Sequence, residues 1–170
     1  MKKIFITAFL VISGLLFSQV AIGKTSVSNA SVSLEFASTE PRGLLLPWVN
    51  SAASVAGAVN GTLIYDTTDK KVKVRYATGW KDLSINSTGV VDTSLQNSLT
   101  EKPEAKVSIG TPSTIPGILV LEDSNKAMIL PKVASPHLAI INPAPGMMVY
   151  DTTAKQLAVF NGSVWSFWKP

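Results

Sequence analysis

The sequence predicts a mainly β protein: two tandem small repeats of short antiparallel strands and hairpins, with extended Pro-containing crossings and little helix beyond a signal peptide. Three observations predict it. The stretch Gly61-Thr62-Leu63-Ile64-Tyr65-Asp66-Thr67-Thr68, followed by Lys70, Val74 and Trp80, returns as Gly146-Met147-Met148-Val149-Tyr150-Asp151-Thr152-Thr153, followed by Lys155, Val159 and Trp165, at a constant spacing of 85. Self-similarity at a fixed period marks a duplicated folding unit. Apolar and polar residues alternate at period two in Val32-Ser33-Leu34-Glu35-Phe36 and Val72-Lys73-Val74-Arg75-Tyr76, the pattern of half-buried strands. No segment carries a long helical period.

In chain order, Met1-Lys2-Lys3 and the uncharged, mostly apolar run from Ile4 to Phe17 have the charged start and short apolar core of a secretory signal. The run is shorter than the roughly 20 residues a membrane-spanning helix needs. Small-residue rules allow cleavage after Gly23 or after Ser18. The duplication favours Ser18, because Val20-Ala21-Ile22-Gly23 with Leu34-Glu35 superposes on Val107-Ser108-Ile109-Gly110 with Leu121-Glu122 at an offset of 87. A cut after Gly23 would remove the first strand of repeat one. The expected organisation is signal peptide 1–18, repeat one 19–83, a Ser/Thr-rich linker 84–106 and repeat two 107–170.

Repeat one opens with the short apolar Val20–Gly23, continues in the strand at 32–36, and breaks at Glu40-Pro41-Arg42-Gly43. Leu44-Leu45-Leu46-Pro47-Trp48-Val49 follows, in which Pro47 lacks an N–H and biases Leu46 to extended geometry, giving an edge strand or a polyproline-like crossing. Residues 50–59 fit a loop or a short helix. From Gly61 the pattern is strand, Asp-Thr-Thr turn, strand, a turn at Ala77-Thr78-Gly79 and a last strand at Trp80, a three-strand meander. Repeat two follows the same plan, with Ala127 to Val133 standing for Gly43 to Val49 and Asn161-Gly162 supplying a hairpin turn. Units of about 65 residues bury too little surface to be comfortable alone, so the repeats should pack on each other or the chain should associate.

The residue inventory leaves little for catalysis. Cysteine is absent and His137 is the single histidine, which excludes disulfides, thiolate sites and His-cluster metal sites. His137 sits in Ser135-Pro136-His137-Leu138 as a surface or partly packed loop residue. Glu35 and Glu122 occupy equivalent repeat positions, so duplication explains the pair without a catalytic dyad. Asp66-Thr67 and Asp151-Thr152 lie at the hairpin tips, where short carboxylates cap turns through backbone N–H groups. A weak calcium site using Asp69, or an O-glycosylation acceptor, are the other readings of these tips. Tyr65, Tyr150, Trp80 and Trp165 fit cross-strand packing or a sugar-stacking platform. Lys71, Lys73 and Arg75 should share one solvent face, and because their counterparts are Gln156, Ala158 and Phe160, a nucleic-acid strip is not indicated. Removing Lys2 and Lys3 with the signal lowers the net charge from +4 to +2.

The order Ile-Gly, Leu-Glu, Leu-Leu-Pro or Ile-Leu-Pro, Gly-x-x-x-Tyr-Asp-Thr-Thr and Trp resembles a module of secreted proteins of Bacteroidetes-type bacteria and of phage tail-fibre-like proteins. There it reads as a "GIG" start, a "GxLLPR" block and a "GLxxYNT…YNGxxW" end. The likeness is carried by Ile22-Gly23, Gly43 to Pro47, Gly61 to Thr68 and Trp80, and again by Ile109-Gly110, Ile129 to Pro131, Gly146 to Thr153, Phe160-Asn161-Gly162 and Trp165. The chain departs from it at Trp48 and Lys132, where the module has Arg after the Pro. The resemblance implies elongated β structure, surface display and trimers.

The expected function is that of a secreted or cell-surface, non-enzymatic structural or adhesive protein, a homo-oligomer needing no cofactor or metal. The alternative is a glycan-binding module, with Trp48, Trp80, Trp165, Phe167 and Trp168 as ligand surface. Asp66, Thr67, Asp151 and Thr152 are turn or modification positions. Neither nucleic acid nor a membrane span of the mature chain is expected.

Overall fold

The computed structural model describes residues 19–102, 104–110 and 113–169; the signal peptide expected at 1–18 lies outside them. Repeat one contributes β1 (Val20–Ile22), β2 (Val32–Phe36), β3 (Leu44–Leu45), β4 (Trp48–Val49), β5 (Leu63–Asp66), β6 (Lys71–Tyr76) and β7 (Gly79–Asp82). Repeat two answers with β8 (Val107–Gly110), β9 (Leu119–Glu122), β10 (Ala127–Ile129), β11 (Lys132–Val133), β12 (Met147–Asp151), β13 (Gln156–Phe160) and β14 (Trp165–Trp168). Among the described residues the α-helices are two single turns, α1 (Ser94–Asn97) and α2 (Pro136–Ala139), with one 3-10 turn at Ala52–Ser54. The class is mainly β, as the alternation and the absence of helical periodicity predict.

Both meanders form as the hairpin signals require, β5-β6-β7 and β12-β13-β14, each antiparallel. To each the chain adds a parallel strand from the Pro-containing block, β4 on β5 and β11 on β12. Pro47 divides its block into two two-residue strands that serve different sheets. A residue without an N–H interrupts the ladder, and the chain uses the interruption to change partners.

That change of partners ties the repeats together. β3 of repeat one pairs antiparallel with β12 of repeat two, Leu45 opposite Met147 and Leu44 opposite Met148. In return β10 of repeat two pairs parallel with β2 of repeat one, completing the sheet β1-β2-β10. The central core draws on both units: Leu46, Tyr65 and Val72 pack with Met148 and Val159, and Leu130 closes against them. A second cluster, Val133, Ile140, Val149 and Ala158, belongs to repeat two alone and is covered by Trp165 and Phe167.

Two local expectations are corrected by this packing. β2 does not present a polar face to water; Ser33 and Glu35 are buried with Val32 and Leu34, because β2 is the middle strand and is covered on both faces. The Glu35 carboxylate is satisfied by Lys24 Nζ at 2.7 Å and by the amide and hydroxyl of Ser28, both at 2.6 Å. Lys71, Lys73 and Arg75 share a face, as alternation demands, but that face is not simply solvent: Lys73 is buried among carboxylates. Ser/Thr-rich residues 84–91 lie on repeat two. The Ile85 amide donates to Ser166 Oγ at 2.9 Å, and Gly89 leaves so little room that a Cβ there would stand 1.9 Å from the Asn161 carbonyl oxygen.

Candidate interaction surface

The sequence repeats the hairpin tips almost unchanged. Asp66 and Asp151 are both buried at the ends of β5 and β12. Asp66 Oδ1 accepts from the amides of Thr68 and Asp69, each at 3.0 Å, and Oδ2 from the Ala52 amide at 2.8 Å. Asp151 Oδ1 accepts from the amides of Thr153, Ala154 and Ser135 at 2.9, 3.2 and 3.2 Å. Each carboxylate thus holds its own turn and staples the segment that follows the Pro block onto it. Burial pushes both carboxyls up, yet the amide donors, joined by Lys73 at Asp66 and by Gln156 at Asp151, outweigh burial and hold both below the usual carboxylate range. Lys70 and Lys155 close the turns in the left-handed region, at φ of 57° and 55°.

In repeat one a cation joins the tip. Lys73 Nζ contacts Asp66 at 3.3 Å, Asp82 at 3.8 Å and Asp69 directly, while Lys71 pairs with Asp82 at 2.7 Å. Burial pulls the Lys73 ammonium down, and Asp69 with Asp66 pulls it up by more. The Asp66 and Asp69 carboxylates, read from the sequence as a weak calcium site, are paired with a lysine instead. Among the described residues no cluster of three His, Asp or Glu side chains could hold a metal ion. Thr67 Oγ1 donates to the Val49 carbonyl at 3.1 Å, whereas Thr152 is exposed.

The five aromatic residues do not form one row. Trp48 lies at the seam between repeats, its Nε1 donating to the Pro145 carbonyl at 2.7 Å and its ring tilted on Tyr65 at 6.1 Å. Trp80 carries the Arg75 guanidinium at 5.9 Å. Trp165 packs on Phe160 at 5.3 Å, and Phe167 meets the edge of His137 at 5.8 Å. Trp168 is exposed and donates to the Leu83 carbonyl at 2.6 Å. Trp80 and Trp168 do come together, with Ser84 and Ile85, around an open depression.

The residue that sequence reasoning passed over is Asn161. Its part in an Asn-Gly turn was legible, but it is fully buried and does more than turn the chain. Oδ1 accepts from the amides of Ser163 and Val164, both at 2.9 Å, and Nδ2 donates to Asn86 Oδ1 at 2.8 Å. Its carbonyl takes the Tyr65 hydroxyl at 2.7 Å, inside the seam. Burial, then the neighbouring Asp66 charge, pushes the Tyr65 phenol up to about 12.

Trp48, Tyr65 and Asn161 thus meet in a seam between two like units of one chain. Residues 107–169 match a family model described as a phage tail like trimerisation region. The matched stretch takes in every strand of repeat two, from β8 to β14. No curated protein and no solved structure matches the chain. Repeat one lies outside the matched residues and follows the same strand order as repeat two.

Proposed function

We propose that this chain is a structural, non-enzymatic protein that assembles as a homotrimer and serves as a fibre-like or adhesive element at or beyond the cell surface. The match of repeat two to a trimerisation region carries the reading. The buried groups support it. The buried titratable side chains with shifted ionisation, Glu35, Tyr65, Asp66, Lys73 and Asp151, are consumed by ion pairs, turn amides or the seam. None is presented to a cleft, where a catalytic acid or base would stand.

Export through a signal peptide cut after Ser18, in a Bacteroidetes-type secreted protein, completes the proposal, with repeats at 19–83 and 107–170 joined through 84–106. Two features support that cut. Val20–Ile22 is paired with β2 along its length, and the Gln19 side-chain Nε2 donates to the Val32 carbonyl at 2.7 Å, so a later start would strip a strand from its sheet. Light scattering of the mature protein with N-terminal sequencing tests both parts: three times the chain mass and a first residue Gln19 are expected. A monomer would overturn the assembly, and a first residue Lys24 the cleavage.

A further inference from the structure

The seam inside the chain is heterologous: repeat one offers one surface and repeat two a different one. Repeat one presents Trp48, Tyr65 and strand β3; repeat two receives them on Pro145, Gly146, Asn161 and strand β12. Gly146 is required there, since a Cβ at this position would stand 2.7 Å from Tyr65 Cβ. Because the repeats have the same fold, each also carries the surface the other is using. Repeat two has its own copy of the presenting face, with Tyr150 for Tyr65, and repeat one its own copy of the receiving face, with Gly61 for Gly146 and Tyr76 for Asn161.

Both spare faces are open. Tyr65 is fully buried but Tyr150 is 36% exposed; Asn161 is fully buried but Tyr76 is 52% exposed. A Cβ on Gly61 would meet nothing within 4 Å. A second, separate observation points the same way. β2 has β10 along its outer edge, whereas β9, its counterpart, sits in a two-stranded parallel sheet with β8 and has no third strand. Leu119 on β9 is 42% exposed, and so is the strand that corresponds to β10, with Leu45 of β3 at 48%.

We infer that the presenting face of repeat two docks on the receiving face of repeat one of a second copy of this chain, repeating the internal seam head to tail. One contact satisfies both observations. It buries Tyr150 against Gly61 and Tyr76 of the second copy, and it lays Leu44–Leu45 of that copy parallel to β9. Carrying the β10–β2 register across at the repeat offset places Leu44 opposite Leu121 and Leu45 opposite Glu122. β3 can serve both sheets because β12 occupies only one of its edges. Heterologous contacts of this kind close into rings when the rotation completes a turn, so the interface rests on the homo-oligomeric reading above and specifies its surface.

The test uses the full mature chain. Tyr150→Arg and Tyr76→Arg, each made alone, should weaken self-association by about tenfold or more, read by light scattering across a dilution series, with an unchanged circular dichroism spectrum. As a second measurement, Tyr150→Cys chains mixed with Tyr76→Cys chains and a short bis-maleimide should give a cross-linked dimer in large excess over Tyr150→Cys mixed with Leu95→Cys, since the natural chain has no cysteine. Undiminished association of both Arg variants, or equal cross-linking in the two mixtures, overturns this interface while leaving the homo-oligomer standing. A wild-type chain that is monomeric at all concentrations overturns both. If an Arg variant fails to fold, the cross-linking comparison decides.

Discussion

Beneath the two hairpin tips, on the same face of the same meander, repeat one holds charges and repeat two holds hydrocarbon. Lys73 and Asp82 face each other across β6 and β7; their counterparts across β13 and β14 are Ala158 and Phe167. Around Lys73 stand Asp66, Asp69 and Asp82; around Ala158 stand Val133, Ile140, Val149 and Phe167. The backbone, the turn and the capping aspartate are common to both. One framework therefore tolerates an ion cluster or an apolar core at the same place, provided the set is internally consistent. A buried charge needs its partners, and a buried methyl needs close neighbours.

Mixing the two sets should be costly to stability. Ala158→Lys should cost about 4 kcal/mol or more in urea unfolding, because the ammonium would enter a packed site lined by apolar side chains. Lys73→Ala should cost about 1–3 kcal/mol, since the carboxylate of Asp66 keeps its three amide donors. Equal costs would show that the two faces are not the alternatives described. The tyrosine pair comes next. Tyr65→Ala opens the shared core and should cost about 3–5 kcal/mol, while Tyr150→Ala, measured on the dissociated chain, should cost about 1 kcal/mol or less.

Smaller effects come from pH. The Tyr65 phenol ionises near pH 10 in the unfolded chain and near 12 in the folded one, so its contribution is fully present below pH 10 and declines as pH rises from 10 towards 12. Tyr65→Phe should remove that alkaline slope from a plot of urea midpoint against pH. The smallest effect belongs to Glu35, which Lys24, then Ser28, holds down at about 2 against an ordinary 4.5. Its contribution is present above pH 4.5 and fades as pH falls towards 2, so Glu35→Gln should flatten that acid limb.

Much of this architecture is legible in the residues themselves. The 85-residue spacing announces the duplication, period-two alternation places the meander strands, and Asp-Thr-Thr places the tips, because each depends on near neighbours in the chain. Even the break at Pro47 can be read, since a missing N–H is a property of one residue. What could not be read is which partners the freed strands take. β3 and β10 exchange sheets between repeats, and nothing local to Leu44–Leu45 or Ala127–Ile129 names a strand about 100 residues away.

The same limit applies to the candidate surface. The residues of the tips and the aromatic positions stood out by type and repetition, but two near-identical copies look interchangeable on paper. Only the tertiary structure made them unequal: by packing one face of repeat one on the opposite face of repeat two, it buried Tyr65 and Asn161 and left Tyr150 and Tyr76 in the open. A linear sequence can specify a unit twice. Two like units joined head to tail must leave one presenting and one receiving surface unused, and that follows from geometry in three dimensions rather than from the identity of any residue.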